Sequence, residues 1–453
     1  MSRSINLEQK LEYKGYWYLP LSPDNKVAGI LTYCPDEKIT LELIGGFDDS
    51  LNSLFSNKGE MVIHGKTSDG KEITLIQCSQ CSSWNSSADF PIVKYNCRFI
   101  IIGKYVNSLD EKAQYWVSFR IPELTYWCHP GALRYFEKCN KDNKAAQKGI
   151  VFNSVCDDNE NVISEVEIND NTSIIIKRGV NFDGTNELLN PQFEQYTYVN
   201  IIKKEETSIK ELLSDICIYE SFISLASFSV VKSTDIIFFD KDVFQQCDSR
   251  KYYKDIHLIH QYNKLNNGNS QNKNIDFLFQ YSTIEDVYPE IIKKWYNAPI
   301  DLFPIRSHLI DSLEKKSVYR SVDFLMIVQA IEGFWWRFRD DDYKTKNGLS
   351  KKLKMSLNKI LRELLAEFSD IELLNECKVD IEAVVDSRHY YSHFLELTEK
   401  PKKLDGVRLF KQARKLRILL ICCVLSFVGF EHSKIDVIFK RSNNEHILFC
   451  ECN

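Results

Sequence analysis

Alternation of apolar and polar positions dominates the first 200 residues of the chain. Ile39, Leu41 and Leu43 alternate with Thr40 and Glu42, and Val117, Phe119 and Ile121 alternate with Ser118 and Arg120. A period of two belongs to a half-buried strand, whose successive side chains point to opposite faces. Runs at 98–106 and 173–177 add strands, with turn signals such as Ser68-Asp69-Gly70 between them. Many short strands and little helix predict a β-rich sandwich or barrel-like domain. A first helix is predicted after a Thr207/Ser208 cap, with Ile209, Leu212, Ile216, Tyr219 and Ile223 on one face. The strand pattern resumes over 236–242, and an Asn-rich stretch at 263–274 is polar enough to stay solvated.

The period then lengthens to that of a helix. Ser282-x-x-Glu285 predicts a capping box opening a helix over 287–296. Pro299 and Pro304 mark a break. Beyond it the spacing predicts helices at about 305–317, 319–339, 349–367, 379–397 and 405–429. The last places Leu409, Ala413, Leu416, Leu420, Cys423 and Phe427 on one stripe and Arg408, Lys411 and Lys415 on another. The expected fold class is α+β, with a β-rich N-terminal domain over 1–298 followed by an all-α bundle over 299–453.

Length supports this division, since 453 residues exceed one ordinary core. The longest apolar run, 418–430, has about 13 residues where a membrane span needs roughly 20. The N-terminus, Met1-Ser2-Arg3-Ser4-Ile5-Asn6, lacks the apolar stretch of a secretory signal. A cytoplasmic protein without a membrane partner is expected, its 14 cysteines reduced and mostly buried as small hydrophobes.

The net charge of −5 argues against indiscriminate nucleic-acid binding, but its distribution is uneven. Seven basic residues and no acidic one lie in 344–362, and seven basic residues against Asp405 alone lie in 401–417. Solvated helix faces would explain either run. Two runs flanking one candidate site favour a track for an RNA backbone, with Lys351, Lys352, Lys354, Lys411 and Lys415 as its contacts.

That site is Arg388-x4-His393, within Arg388-His389-Tyr390-Tyr391-Ser392-His393 on a helix that also carries Val384 and Val385. A guanidinium cannot shed its charge and is costly to bury unpaired, so packing alone gives little reason to place one there. Imidazole moves a proton and guanidinium holds phosphate oxygens, which together are the tools of phosphodiester chemistry. Residues five apart on a helix differ by about 140° in direction, however, so the two do not share a stripe, whereas His389 and His393 do. Two motif helices meeting at a two-fold axis would relieve the mismatch.

Metal ligands are sparser. Cys78-x-x-Cys81 has knuckle spacing without a second pair, and His446 with Cys450-x-Cys452 could supply a structural zinc if two chains met there. Trp335-Trp336 could stack bases, although aromatics on such a helix are usually core. No phosphate loop, HExxH or GxSxG motif occurs, which argues against an ATP-driven motor, a zincin or an α/β-hydrolase.

The segment Val384-Val385-Asp386-Ser387-Arg388-His389-Tyr390-Tyr391-Ser392-His393-Phe394, with Phe324-Leu325 and Gln329-Ala330-Ile331-Glu332 before it, resembles the HEPN domain of the ApeA type. Gly15-Tyr16-Trp17-Tyr18-Leu19-Pro20, Asn25 to Tyr33 and Leu41-Glu42-Leu43-Ile44-Gly45 resemble the opening of the ApeA N-terminal domain. Members often carry Asn after the motif Arg, where this chain has His389.

The resemblance implies a metal-independent endoribonuclease in anti-phage abortive infection, acting as a homodimer or higher homo-oligomer through its helical domain. His393 would serve as general base on the 2′-OH or acid to the leaving 5′-oxygen, and Arg388 would stabilise the phosphorane-like transition state. His389 and Glu332 are further candidates, Glu332 as a group orienting an imidazole or guanidinium from a facing helix. Products would be a 2′,3′-cyclic phosphate and a 5′-OH, and catalysis would need no cofactor. By analogy with other HEPN nucleases, structured RNA such as a tRNA anticodon loop is the expected target, with a phage-derived trigger sensed by the N-terminal domain. Two other readings stand beside it: a non-catalytic RNA- or nucleotide-binding HEPN protein, and the toxin of a toxin–antitoxin pair silenced through a tyrosine after the motif. Phe394 and Leu395 occupy the positions where the latter would want that tyrosine.

Overall fold

A computed structural model describes residues 5, 7, 9–35, 37–47, 61–84, 91–129, 133–139, 145–152, 161–183, 192–247, 250–260, 277–313, 320–396 and 400–441. The chain forms two compact units. The first comprises 1–125, 130–217 and 232–273, and the second 126–129, 218–231 and 274–453.

The first unit opens with β1 (Leu11–Tyr18), β2 (Val27–Tyr33), β3 (Ile39–Ile44), β4 (Met61–Thr67), β5 (Glu72–Trp84) and β6 (Ile92–Cys97). They pair antiparallel in the order β5-β4-β1-β2-β3-β6, and β6 pairs back onto β5, closing a six-stranded barrel. Closure removes the exposed edges that an open sheet must protect. The alternation seen in the sequence points Leu41, Leu43, Leu31, Ile63, Ile73 and Leu75 into the barrel, where all are fully buried. Trp17 is fully buried in this core, and its register partner on the neighbouring β4 must be Gly65, because a Cβ there would lie 2.3 Å from the indole. The predicted Ser68-Asp69-Gly70 turn joins β4 to β5, with Gly70 at φ 83°, a left-handed value that favours glycine.

From the barrel the same sheet continues through β7 (Phe99–Ile102) and β8 (Lys112–Arg120). After α1 (Pro122–Trp127) come a hairpin, β9 (Leu133–Cys139) with β10 (Ala145–Phe152), and then β11 (Val162–Asn169), β12 (Thr172–Asp183) and β13 (Gln192–Ser208). Beyond α2 (Ile209–Ala226) lie β14 (Thr234–Phe239), a second hairpin of β15 (Phe244–Cys247) and β16 (Arg250–Tyr253), and β17 (Ile256–His260). The extension runs β7-β17-β14-β8-β13-β12-β11. Strand pairing therefore persists past the 236–242 stretch read from the sequence.

The predicted cap of α2 forms. Glu211 accepts the backbone N–H of Ser208 at 2.9 Å while the Ser208 hydroxyl accepts the N–H of Glu211 at 3.2 Å. The Ser208 N–H first, then the Thr207 and Ser208 hydroxyls, donate to the Glu211 carboxyl and pull it down to about 2. The second predicted cap does not form. Ser282 lies inside α3 (Tyr281–Ile284), Glu285 caps its C-terminus, and α4 (Tyr288–Tyr296) starts separately with Pro289 in its first turn and no side-chain cap bond. Proline lacks an N–H and is pre-set for that position, so it decides the start.

The second unit continues with α5 (Leu302–Asp311), α6 (Ser321–Phe338), α7 (Asp340–Lys346), α8 (Leu357–Glu367), α9 (Glu372–Cys377), α10 (Ile381–His393), α11 (Gly406–Phe427) and α12 (His432–Arg441). Three of these, α7, α9 and α12, were not foreseen. α11 is the centre: Ile418 to Leu425 are all buried, so this half is apolar all round, and it packs against α5, α6, α9 and α12. The helix expected over 349–367 begins only at Leu357, where the Ser356 hydroxyl accepts the Lys359 N–H. Gly348 at φ 64° turns the chain before it, leaving Lys351, Lys352 and Lys354 exposed on a connecting segment. Among the described residues no helix is long and apolar enough to cross a membrane.

Candidate active site

α10 places the motif. Asp380 caps it, accepting the Ala383 N–H at 3.0 Å, and Ala383, Val384 and Ser387 form a narrow buried stripe toward α6 and α8. The helix is thus half-exposed and not deeply apolar, and Phe394, directly after it, is 91% exposed. It adopts φ 52°, a left-handed value that ends α10 immediately after His393.

Arg388 Nη1 lies 3.5 Å from His393 Nε2, and Arg388 Nη2 donates to Glu332 Oε2 on α6 at 3.4 Å. The two motif residues therefore meet within one chain despite the angle between their Cα–Cβ directions. The long arginine side chain crosses the gap, and His393, as the last helical residue, is not crowded by a following turn. The helical angle therefore gives no reason to divide the pair between two chains. Guanidinium has donors only, so in a hydrogen bond between the two Nε2 is the acceptor. Glu332 offsets the arginine charge at a partly buried position, with both side chains about a quarter exposed or less.

The segment before α11 pins α10 from outside. The buried Ser387 hydroxyl accepts the Leu404 N–H at 2.8 Å, and Tyr391 Oη donates to the Leu404 carbonyl at 2.9 Å. Asp386 accepts the Lys402 N–H, and the Lys403 ammonium sits 4.6 Å from the Tyr390 ring. These positioning residues escaped the sequence reading. Nothing local marks a serine or tyrosine as the partner of a backbone group 13 to 17 residues away.

His389 ends beside this pair, its ring 6.3 Å from that of His393. Burial, then the charges of Lys400 and Arg388, push it below the usual histidine value, which keeps it neutral. By NMR titration its midpoint should lie below that of a free histidine and rise in Arg388→Ala. An unchanged midpoint in that variant would separate His389 from the arginine's field. The stability carried by the neutral form is intact above the unfolded midpoint of about 6.5, and declines as pH falls from there through the folded one.

Other sequence candidates sort by contact. Lys344, counted in the first basic run, is buried and paired with Asp340 at 2.6 Å, so it is not part of an outer track. Lys411 and Lys415 are half-buried on α11, and Lys415 donates to the Lys378 carbonyl at 3.3 Å. Trp335 is core, donating to Asp340, while Trp336 is 37% exposed. Cys78 and Cys81 do not converge: three residues apart on β5, one is buried beside Cys97 and the other exposed, donating to the Lys94 carbonyl. No group of three metal ligands gathers among the described residues, and His446, Cys450 and Cys452 lie outside them.

A helical bundle presenting an arginine–histidine pair on a late helix, after a β-barrel in chain order, defines a HEPN-type nuclease architecture. Family models agree: ApeA N-terminal domain 1 matches residues 12–295 and Apea-like HEPN matches 325–434. The first spans well over half the sequence, and the chain belongs to the ApeA family. At the level of that family it is a defence-related HEPN nuclease. No curated protein and no solved structure matches it.

Proposed function

We propose that the chain is an endoribonuclease whose helical unit cleaves RNA by attack of a 2′-OH on its own phosphodiester. The observation that carries this is the Arg388–His393 contact, with Glu332 behind the guanidinium. His393 Nε2 takes the 2′-OH proton as oxygen attacks phosphorus. Arg388 swings its second donor pair onto the non-bridging oxygens, where negative charge builds. The P–O5′ bond breaks, the 5′-oxygen takes up a proton from water, and the products are a 2′,3′-cyclic phosphate and a 5′-OH. Acid–base and guanidinium chemistry suffice for these steps, so no metal is assigned a role in them. His389, neutral and adjacent, is a candidate for contacting the RNA. Structured RNA such as a tRNA anticodon loop is the proposed substrate, by analogy with other HEPN nucleases, and the barrel unit is the proposed receiver of a phage-derived trigger in the cytoplasm. If the C-terminal tail binds a structural zinc, Cys450, Cys452 and His446 are its proposed ligands.

Sequencing of 5′-OH RNA ends in cells expressing the protein should show discrete new ends that vanish in His393→Ala. Identical end profiles in the two strains would leave an RNA-binding role instead.

A homodimer through the helical unit is proposed as the active form, since HEPN domains commonly act as RNA-targeting dimers. Phe394, an exposed ring at the end of the motif helix, is the apolar group best placed at such a seam. Light scattering should give a dimer mass for the native protein and a larger monomer fraction for Phe394→Ser. A fully active monomer would exclude the dimer.

A further inference from the structure

The outer wall of the barrel carries a groove of about 630 Å³, within the usual range for small-ligand sites. Its floor follows from strand register. Lys66 pairs with Tyr16, Tyr16 with Ala28, and Ala28 with Ile44, which draws one straight row across β4, β1, β2 and β3. A second row, two residues along, runs from Lys14 to Ile30 and Glu42.

Tyr16 is 59% and Ile44 50% exposed, unusual for large apolar groups side by side on one face. Between them stands only the methyl of Ala28. Two strand spacings separate Tyr16 from Ile44, roughly 10 Å, which admits a flat ring touching both walls.

The charges around this floor are one-sided. Lys14, Lys26 and Lys66 line the groove, and none makes an ion pair among the described residues. Their neighbours do: Lys10 with Glu12, Lys71 with Asp69, and Lys94 with Glu42. Of the nearby carboxylates, Glu12, Asp69 and Glu42 are already paired and Glu72 lies across from Lys66 on β5, so the three lysines leave a net positive rim around an apolar slot. A ligand complementary to it has a planar ring for Tyr16 and an anionic tail for the lysines.

We propose that this groove binds a nucleoside phosphate, its base against Tyr16 over Ala28 and its phosphates at Lys14, Lys26 and Lys66. The ligand chemistry is the same whether the nucleotide is free or one unit of a single strand, and the site is independent of the helical nuclease site.

Calorimetry on the full chain at low salt tests this with ATP, GTP, inorganic triphosphate and the oligonucleotide dT8, which lacks a 2′-OH. ATP or GTP, or else dT8, should bind. Tyr16→Ala should weaken that binding about tenfold or more while leaving triphosphate unaffected, and Tyr16→Phe should retain it. Lys14→Glu with Lys66→Glu should abolish binding of every probe, and Lys14→Arg with Lys66→Arg should preserve it. Binding of free nucleotides identifies a small-molecule ligand, and binding of dT8 alone identifies a strand. Absence of binding by ATP, GTP and dT8, or binding that survives either Tyr16→Ala or the double reversal unchanged, overturns the proposal. The substituted side chains are exposed, so melting curves should match the native protein and separate lost binding from lost fold.

Discussion

His393→Ala and Arg388→Ala should each reduce RNA cleavage by the purified protein at least about 100-fold. Removing a general acid or base from such a reaction costs roughly 100- to 10,000-fold, and deleting a donor to the developing oxyanion costs a similar amount. The folds should persist, because His393 is exposed and Arg388 contributes no apolar packing at the buried stripe of α10. Arg388→Ala leaves Glu332 without its partner, but at a position open enough for water to replace it. Glu332→Gln should lie between, since the amide still accepts from Arg388 but no longer balances its charge. Single-turnover rates on one RNA, alongside thermal melts, separate these cases. Cleavage by His393→Ala above a few per cent of the native rate would remove the imidazole from the reaction. Native cleavage should also persist in excess EDTA, and an activity recovered only with added Mg²⁺ or Mn²⁺ would point to metal-assisted transfer instead.

Reversing Lys351, Lys352 and Lys354 to Glu should weaken RNA binding on the order of 100-fold at low salt, with little effect on the rate once RNA is saturating. All three are exposed on the segment between α7 and α8. Each phosphate contact adds about 0.7 to the salt dependence of single-strand binding, so losing three should flatten the log–log slope by about 2. The paired reversal of Lys411 and Lys415 should do less, because both are half-buried and Lys415 already donates to a carbonyl. Binding curves across a salt series distinguish a track from ordinary solvated lysines. An unchanged slope in both variants would end the track hypothesis, whatever the cleavage assays show.

Several features were legible from the chain alone because their causes are local. The alternation at 39–44 and 117–121 reports which side of a strand meets the core, and those residues are buried as the pattern requires. Thr207 and Ser208 directly precede the helical apolar run that starts at Ile209, so the cap of α2 was visible, although the part played by Glu211 was not. The Arg388-x4-His393 spacing and the stretches around Tyr16 and Glu332 carried the family, which the matching family models now establish.

What the sequence could not decide depends on partners distant along the chain or on competition between neighbours. Barrel closure comes from β6 returning to β5, a pairing that alternation permits but does not specify. Two caps compete over 282–289, and the proline wins. Lys344 reads as one of seven cations until Asp340, one turn earlier, neutralises it in a buried pair. Glu332 and Arg388 lie 56 residues apart, and only the packing of α6 against α10 brings them to 3.4 Å. The 140° between Arg388 and His393 predicted separation, because periodicity describes where side chains begin and not how far they reach. Sequence determined the chemistry available to this protein; tertiary structure decided which groups touch, since contact is set by chain reach and non-local packing.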